Sequence, residues 1–266
     1  MNSHEQPIGI FDSGIGGLTV FKEVRSLLPG ENIIYLGDTA RVPYGTRSPE
    51  TVMRYSFECT EFLLNQSIKL LVVACNTVSA VSLDEICKRV SIPVTGVIGP
   101  GARAAASATK NKKIGIIGTE TTIKSSAYSK AIRAMGHDIE VHGVACPLFV
   151  PLVEEGWTEG AIARMVVERY LAEIKDNGAD TLLLGCTHYP LLKKVIQEVM
   201  GDVRLVDSAI ETALAVKQLL VEKKMTAMNS AAGTSRFFVT DSPEKFISVG
   251  ERFLETKIGT IEKIQL

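Results

Sequence analysis

LLVVACNT, at Leu70–Thr77, is the stretch that decides the fold, and LLLGCTH at Leu182–His188 is a near-copy of it. Each stretch is an apolar run that ends in a cysteine followed by small polar residues. Such a run is typical of a strand buried on both faces, as in a parallel sheet covered by helices. The cysteine then stands at the carboxyl end of the strand, which is the edge where open α/β sheets bind ligands. The two stretches therefore predict one pocket with a thiol on each of two walls.

Short apolar runs alternate with amphipathic segments along the whole chain. Ile8–Phe11 (IGIF) leads into a glycine-rich turn and a helical pattern, and Lys113–Ile117 (KIGII) repeats this beginning. The echo suggests a diverged internal duplication of an α/β unit, with a boundary at Gly99-Pro100-Gly101 and an alanine-rich helix after it. One helix is expected over Ser79–Arg89. The alternation predicts an α/β fold with mainly parallel sheets and helices on both faces.

The bulk composition argues against several classes of function. The 266 residues allow one large domain or two of ordinary size. A net charge of −1 without a basic tail or stripe indicates no nucleic-acid partner. No apolar run approaches the roughly 20 residues of a membrane span, and the amino terminus lacks the features of a secretory signal. The glycines after the first strand spell GIGG, which is not the dinucleotide fingerprint GxGxxG.

The five cysteines are scattered and include no CxxC pair: Cys59, Cys75, Cys87, Cys146 and Cys186. A disulfide framework is therefore not expected, and a cytoplasmic location fits best. The four histidines lack metal-type spacing, so we expect no metal site. Free cysteine is usually a small buried hydrophobe, which suits the three cysteines outside the key stretches. For Cys75 and Cys186, packing and catalysis both stay open, because both lie at a ligand-binding edge and precede polar residues.

Four further residues are candidates for chemistry. Asp12 closes the first strand, where a carboxylate is commonly a turn or cap residue but could also lie beside Cys75. His188 follows Cys186 by two positions, and a nearby imidazole can activate a thiol, although a capping or packing role is the alternative. Glu154 and Glu155 precede a glycine, and the residues alone favour neither a surface role nor a functional one.

Five motifs together resemble one known family. They are IGIFDSGIGGLTV at Ile8–Val20, GDTARVPYG at Gly37–Gly45, ACNTVSA at Ala74–Ala80, CPLFVPLVEEG at Cys146–Gly156 and GCTHYPLL at Gly185–Leu192. On these motifs the chain resembles the cofactor-independent aspartate/glutamate racemase family, and within it the enzymes that act on glutamate. The resemblance implies two pseudo-symmetric α/β domains that enclose the substrate, residues 1–98 plus 208–266 and residues 99–207. It also implies that the enzyme needs no cofactor.

The resemblance also assigns roles to residues. It implies that Cys75 and Cys186 are the acid/base thiols, that Asp12 assists Cys75, and that His188 and Glu154 assist Cys186. The implied substrate contacts are Asp12, Ser13, Tyr44, Gly45, Asn76, Thr77, Thr119, Thr187 and His188.

Thiols suit such a reaction. Racemisation removes a proton from one face of Cα and returns one to the other, so two bases on opposite faces do what a single base cannot easily do. A free thiol titrates near roughly 8.5, so a modest local change makes either ionisation state available near neutral pH. Without a cofactor the carbanion needs hydrogen-bond donors around its carboxylate, and Ser13, Thr77 and Thr187 are the expected sources.

The leading hypothesis is the interconversion of L- and D-glutamate, which would supply D-glutamate for bacterial peptidoglycan. One alternative is an enzyme of the same fold that racemises aspartate or decarboxylates a related acid. Another is a redox protein in which Cys75 and Cys186 cycle to a disulfide. A homodimer stays open as the assembly.

Overall fold

The structure, a computed structural model, describes residues 4–136, 138–228 and 231–266. The strands in this part of the chain are β1 (Ile8–Asp12), β2 (Ile33–Gly37), β3 (Leu70–Val73), β4 (Val94–Gly96), β5 (Lys113–Gly118), β6 (Glu140–Ala145), β7 (Thr181–Gly185), β8 (Arg204–Asp207), β9 (Ser235–Val239) and β10 (Ile261–Lys263). They form a six-stranded sheet in the order β10-β9-β2-β1-β3-β4 and a four-stranded sheet in the order β6-β5-β7-β8.

The helices lie between these strands. They are α1 (Leu18–Leu27), α2 (Pro49–Asn65), α3 (Asn76–Val81), α4 (Leu83–Arg89), α5 (Ile98–Ala108), α6 (Glu120–Ser125), α7 (Ala127–Ala134), α8 (Phe149–Glu154), α9 (Gly160–Asn177), α10 (Lys193–Met200), α11 (Ser208–Glu222) and α12 (Pro243–Leu254), with short 3₁₀ helices at Tyr44–Thr46 and Tyr189–Leu192. None of these helices is long and apolar enough to cross a membrane.

The order of the second sheet repeats the core of the first. In each sheet the first strand of the unit lies in the centre, between the next two strands, so that β2-β1-β3-β4 corresponds to β6-β5-β7-β8. All pairings in the described residues are parallel; β5 ends level with β7, and β1 runs one residue beyond the end of β3. The predicted α/β fold with mainly parallel sheets is confirmed, and the repeated order agrees with a duplication.

Burial explains why the two key runs are wholly apolar. Every residue of β3 and of β7 is buried. On β3, Leu70 and Val72 pack into one apolar cluster while Leu71 and Val73 pack into another, because successive side chains of a strand point to opposite faces. A strand with apolar contacts on both faces has no place for a polar residue until it reaches the sheet edge.

Two details of the helix prediction are wrong. The helix expected over Ser79–Arg89 consists of two helices, α3 and α4, because Ser82 leaves helical geometry at φ −126° and ψ −12°. The helix expected after Gly101 begins earlier, at Ile98, so the Gly-Pro-Gly segment is the first turn of α5. A proline fits there because the first N–H groups of a helix lack intrahelical partners.

The carboxyl-terminal segment returns to the first sheet. β9 pairs with β2, and β10 pairs with β9. At the opposite, amino end of this sheet, Lys69 forms a buried ion pair with Glu31 at 2.6 Å and donates to the carbonyl of Met225 at 2.8 Å. The first sheet takes its strands from residues 1–98 and 208–266, and the second takes its strands from residues 99–207. These are the ranges of the two predicted domains. The division into domains stays a prediction, since α11 packs on both α1 and α5.

Candidate active site

A cavity of about 350 Å³ opens at the carboxyl ends of the central strands of both sheets. Its walls hold Cys75 from the end of β3 and Cys186 from the end of β7. Most of the other predicted site residues also line it: Ser13, Tyr44, Gly45, Asn76, Thr77, Thr119, Glu154, Thr187 and His188. The exception is Asp12, which is fully buried behind the wall. One buried cavity therefore carries a thiol on each of two walls.

The Cys75 wall places a thiol beside a carboxylate. Cys75 directly precedes α3, and its Sγ donates to the Ser13 hydroxyl at 3.5 Å. Burial raises the pKa of Cys75 to about 12, the nearby Asp12 carboxylate adds to the rise, and the hydrogen bond with Ser13 opposes it. Cys75 therefore holds its proton at neutral pH.

Asp12 lies between the two walls rather than beside Cys75 alone. The backbone N–H of Gly14 donates to its Oδ2 at 2.9 Å, and the Thr187 hydroxyl donates to its Oδ1 at 3.5 Å. Burial raises the pKa of Asp12, while the charge of His188 and these hydrogen bonds lower it. The carboxylate is thus linked to residues on both sides of the cavity.

The Cys186 wall places a thiol beside an imidazole. His188 hydrogen-bonds Cys186, and its Nε2 lies 3.3 Å from Oε1 of Glu154. Burial lowers the pKa of His188, but the partners Cys186 and Glu154 outweigh this and raise it to about 10. The edge-on ring of Phe253 packs against the imidazole at 5.5 Å between centroids. His188 is therefore a cation at neutral pH, held between a thiol and a carboxylate.

Helix α12 supports Glu154 from outside the cavity. Lys245 Nζ lies 3.2 Å from Glu154 Oε2, and Arg252 donates to the Glu154 carbonyl at 2.5 Å. The pKa of Glu154 is lowered first by its hydrogen bond with His188 and further by Lys245, against the rise from burial. Neither α12 residue was predicted from the sequence, because no local motif marks contacts between residues 91 and 98 positions apart.

At the rim of the cavity, hydroxyl groups link the part of the chain that carries Cys75 to the part that carries Cys186. Thr77 and Thr119 lie 2.9 Å apart between their hydroxyl oxygens, and Thr121 donates to the Gly45 carbonyl at 2.9 Å. Gly45 packs so closely here that a Cβ atom would lie 2.7 Å from the Thr119 side chain. The rim therefore needs glycine at this position. The Tyr44 hydroxyl donates to the buried Asp38 carboxylate, so the ring and backbone of Tyr44 are what border the cavity.

Apolar side chains complete the walls: Ile15, Val42, Pro43, Pro147, Val150 and Pro151. They lie within the motifs that carry the family resemblance, but none of them was predicted to be a site residue. Single apolar residues in connecting segments carry no periodic signal. Across residues 4–136, 138–228 and 231–266, no three His, Cys, Asp or Glu side chains group as metal ligands.

Comparison with known proteins decides the family. The family model for Asp/Glu/Hydantoin racemase matches residues 15–217. The chain belongs to this family. A glutamate racemase of Geobacter metallireducens is 55% identical over 260 residues, covering 97% of this chain and 96% of that protein. The resemblance inferred from the five motifs is thereby confirmed.

Solved structures of family members share the fold over nearly the whole chain. The glutamate racemase of Francisella tularensis subsp. tularensis, solved in complex with D-glutamate, superposes with a TM-score of 0.93 at 40% identity, covering 98% of each chain. The isoform RacE1 of Bacillus anthracis, also a glutamate racemase, superposes with a TM-score of 0.96 at 43% identity, covering 99% of this chain and 98% of that one. The racemase fold is therefore present from end to end.

Proposed function

We propose that this chain interconverts L- and D-glutamate by moving the Cα proton between Cys75 and Cys186, without a cofactor. The observation that carries the proposal is the pair of thiols, one following a strand of each sheet, that line one cavity of about 350 Å³. Membership of the racemase family supports it, as do relatives named glutamate racemase. The product D-glutamate would supply peptidoglycan synthesis. A cytoplasmic location and a homodimer stay predictions.

Hydrogen-bond donors, rather than ion pairs, are expected to hold the two carboxylates of glutamate. Within the described residues the cavity lining contains neither Lys nor Arg, and His188 supplies its positive charge. The donors available are the hydroxyls of Ser13 and Thr77 and the amide of Asn76, while the Thr187 hydroxyl donates to Asp12. Fixed donors around a carboxylate stabilise the charge that develops on it when the Cα proton leaves.

The surroundings of the two sulfurs suit them to different roles in the proton transfer. Cys75 keeps its proton because of burial and the Asp12 carboxylate. His188 lies beside Cys186 and can stabilise the thiolate form in which Cys186 removes the Cα proton. The thiolate removes the Cα proton, the electron pair spreads into the α-carboxylate, and the Cys75 thiol delivers its proton to the opposite face of Cα. Conversion of the opposite enantiomer follows the same steps in reverse, with Cys75 as the base and Cys186 as the acid.

Turnover of each glutamate enantiomer in heavy water tests the proposal. The product should carry deuterium at Cα from the first turnovers, while recovered substrate stays unlabelled, because each face is served by its own sulfur. Circular dichroism follows the racemisation, and L-aspartate serves as the control substrate. Absence of glutamate racemisation, or label in the recovered substrate before it appears in product, would overturn the proposal.

A further inference from the structure

Tyr128 on α7 is seated against the strand end that carries Cys186. Its side chain is 2% exposed, and its ring fills space left by two glycines. A Cβ atom on Gly185 would lie 3.0 Å from Cε2 of this ring, and one on Gly101 would lie 3.3 Å from Cε1. Gly185 directly precedes Cys186. The ring position is therefore determined by the backbone of the Cys186 wall.

The hydroxyl of Tyr128 reaches across to the Cys75 wall. It donates to Oδ1 of Asn76 at 2.6 Å, and it also contacts Ser208 at the start of α11. Asn76 directly follows Cys75 and opens α3. One hydrogen bond thus joins the residue after one thiol to a ring packed beside the other.

This bond determines the orientation of the Asn76 amide group. Because Oδ1 accepts the Tyr128 proton, Nδ2 takes the other direction. Nδ2 is buried and has no hydrogen-bond partner, and Asn76 lines the cavity. A buried donor without a partner is rare and destabilising, so an acceptor on the ligand is its natural partner. With the amide reversed, an oxygen atom would take the place of this donor and would repel a carboxylate.

We infer that Tyr128 is a positioning residue for substrate binding. It holds the Asn76 amide so that Nδ2 donates to a carboxylate oxygen of the bound amino acid. This inference rests on the proposed function, since the substrate supplies the carboxylate. Tyr128 itself touches no reacting atom, and it acts through Asn76 alone.

The variant Tyr128→Phe tests this because it keeps the ring and removes only the hydroxyl. KM for both glutamate enantiomers should rise about 3- to 10-fold, with kcat changed by less than about twofold, since a positioning bond for binding is lost. The matched control is Tyr170→Phe. Tyr170 packs on Phe149 outside the cavity lining, so its KM should stay at the wild-type value.

A double-mutant cycle separates positioning from general packing. In an Asn76→Ala background, Tyr128→Phe should change KM by less than about twofold, because the residue through which it acts is gone. If turnover of Asn76→Ala is too slow, titration calorimetry with D-glutamate gives Kd for the same cycle. A full, additive effect of Tyr128→Phe on KM in the Asn76→Ala background would overturn the inference, and so would an effect on kcat alone. In either case, racemisation by the wild-type protein would still support the proposed function.

Discussion

The two cysteine walls are alike in backbone and opposite in charge. Cys75 and Cys186 each follow a buried strand that lies beside the central strand of its sheet. Yet Cys75 lies close to the carboxylate of Asp12, whereas Cys186 lies beside the cationic His188, which Glu154 supports. The repeated strand order gives the two sulfurs equivalent places, and the side chains around them give the two sulfurs opposite electrostatic surroundings.

This difference has a chemical use. Two thiols in identical surroundings would mostly be protonated together near neutral pH, since a free thiol titrates near roughly 8.5. Proton transfer between two faces of Cα needs one donor and one acceptor at the same time. Environments that separate the protonation of two like groups are what an acid/base pair requires. The asymmetry of the walls is therefore our hypothesis for how a symmetric fold supports the reaction.

Removal of either sulfur should have the largest effect. Cys75→Ser and Cys186→Ser should each lower kcat for racemisation by about 10²- to 10⁴-fold, because a hydroxyl is a far poorer proton donor and acceptor at Cα. Polarimetry of both enantiomers measures this. Cys87→Ser is the control, since Cys87 is exposed on α4 and should retain full activity. A serine variant at either wall that keeps more than about a tenth of wild-type activity contradicts the two-thiol mechanism.

The fold was readable from the sequence because its signals are local. Apolar runs such as Leu70–Val73 must be strands buried on both faces, and their alternation with helical patterns specifies parallel sheets. The two errors in the helix prediction also have local causes. The helix break at Ser82 follows from geometry that serine does not encode, and the first turn of α5 accepts a proline that usually signals a boundary.

The site was only partly readable. Residues directly after strands, such as Cys75 and Cys186, are placed by the sheet itself, so the sequence predicts that they meet at one edge. Lys245 and Tyr128 come from helices that contact the site only after the chain has folded. No spacing of residues in the sequence predicts these contacts. Long-range packing, rather than any motif, brings these supporting residues to the catalytic candidates.

His188→Asn should have the next largest effect. Loss of the cation beside Cys186 should lower kcat/KM by about 10- to 100-fold, since an opposite charge at contact changes ionisation by that order. His142→Asn on β6 is the control, because His142 pairs with the exposed Glu173 away from the cavity. Equal activity of the two variants would remove the basis for the asymmetry.

The same variant predicts a pH dependence of stability. The pKa of His188 is raised in the folded protein to about 10, above the roughly 6.5 of an unfolded histidine. Its charged form therefore stabilises the fold fully below about pH 6.5, and this contribution is lost as pH rises through about 10. Urea unfolding of wild type and His188→Asn should show a free-energy difference that shrinks over this window. A difference that grows with pH would contradict the raised pKa.

Asp12→Asn should separate activity from stability. Burial raises the pKa of Asp12, so the folded state disfavours the carboxylate, and stability is lost as pH rises through this pKa. The neutral amide should raise the melting temperature near neutral pH by about 2–4 °C, which corresponds to about 1 kcal/mol. This gain should vanish at low pH, where wild type is protonated as well. Racemisation should also fall, since the carboxylate that lies near Cys75 and accepts a hydrogen bond from Thr187 is lost. A lower melting temperature would mean that the carboxylate stabilises the fold.

Lys245→Met should have the smallest effect, because this support reaches the Cys186 wall from outside. The Lys245 side chain is 59% exposed, and an exposed ion pair contributes at most about 1 kcal/mol, so kcat/KM should fall about 2- to 3-fold. Lys245→Arg should restore activity, and the defect should shrink as ionic strength rises from about 0.05 M to about 0.5 M. Lys257→Met, which breaks the exposed pair with Glu251 near the same helix, is the control and should leave activity unchanged.

A loss above about tenfold, or one that salt does not alter, would mean that Lys245 anchors α12 rather than adjusting the charge of Glu154. The small expected effect follows from solvent screening, which confines strong control of the two sulfurs to the buried Asp12 and His188.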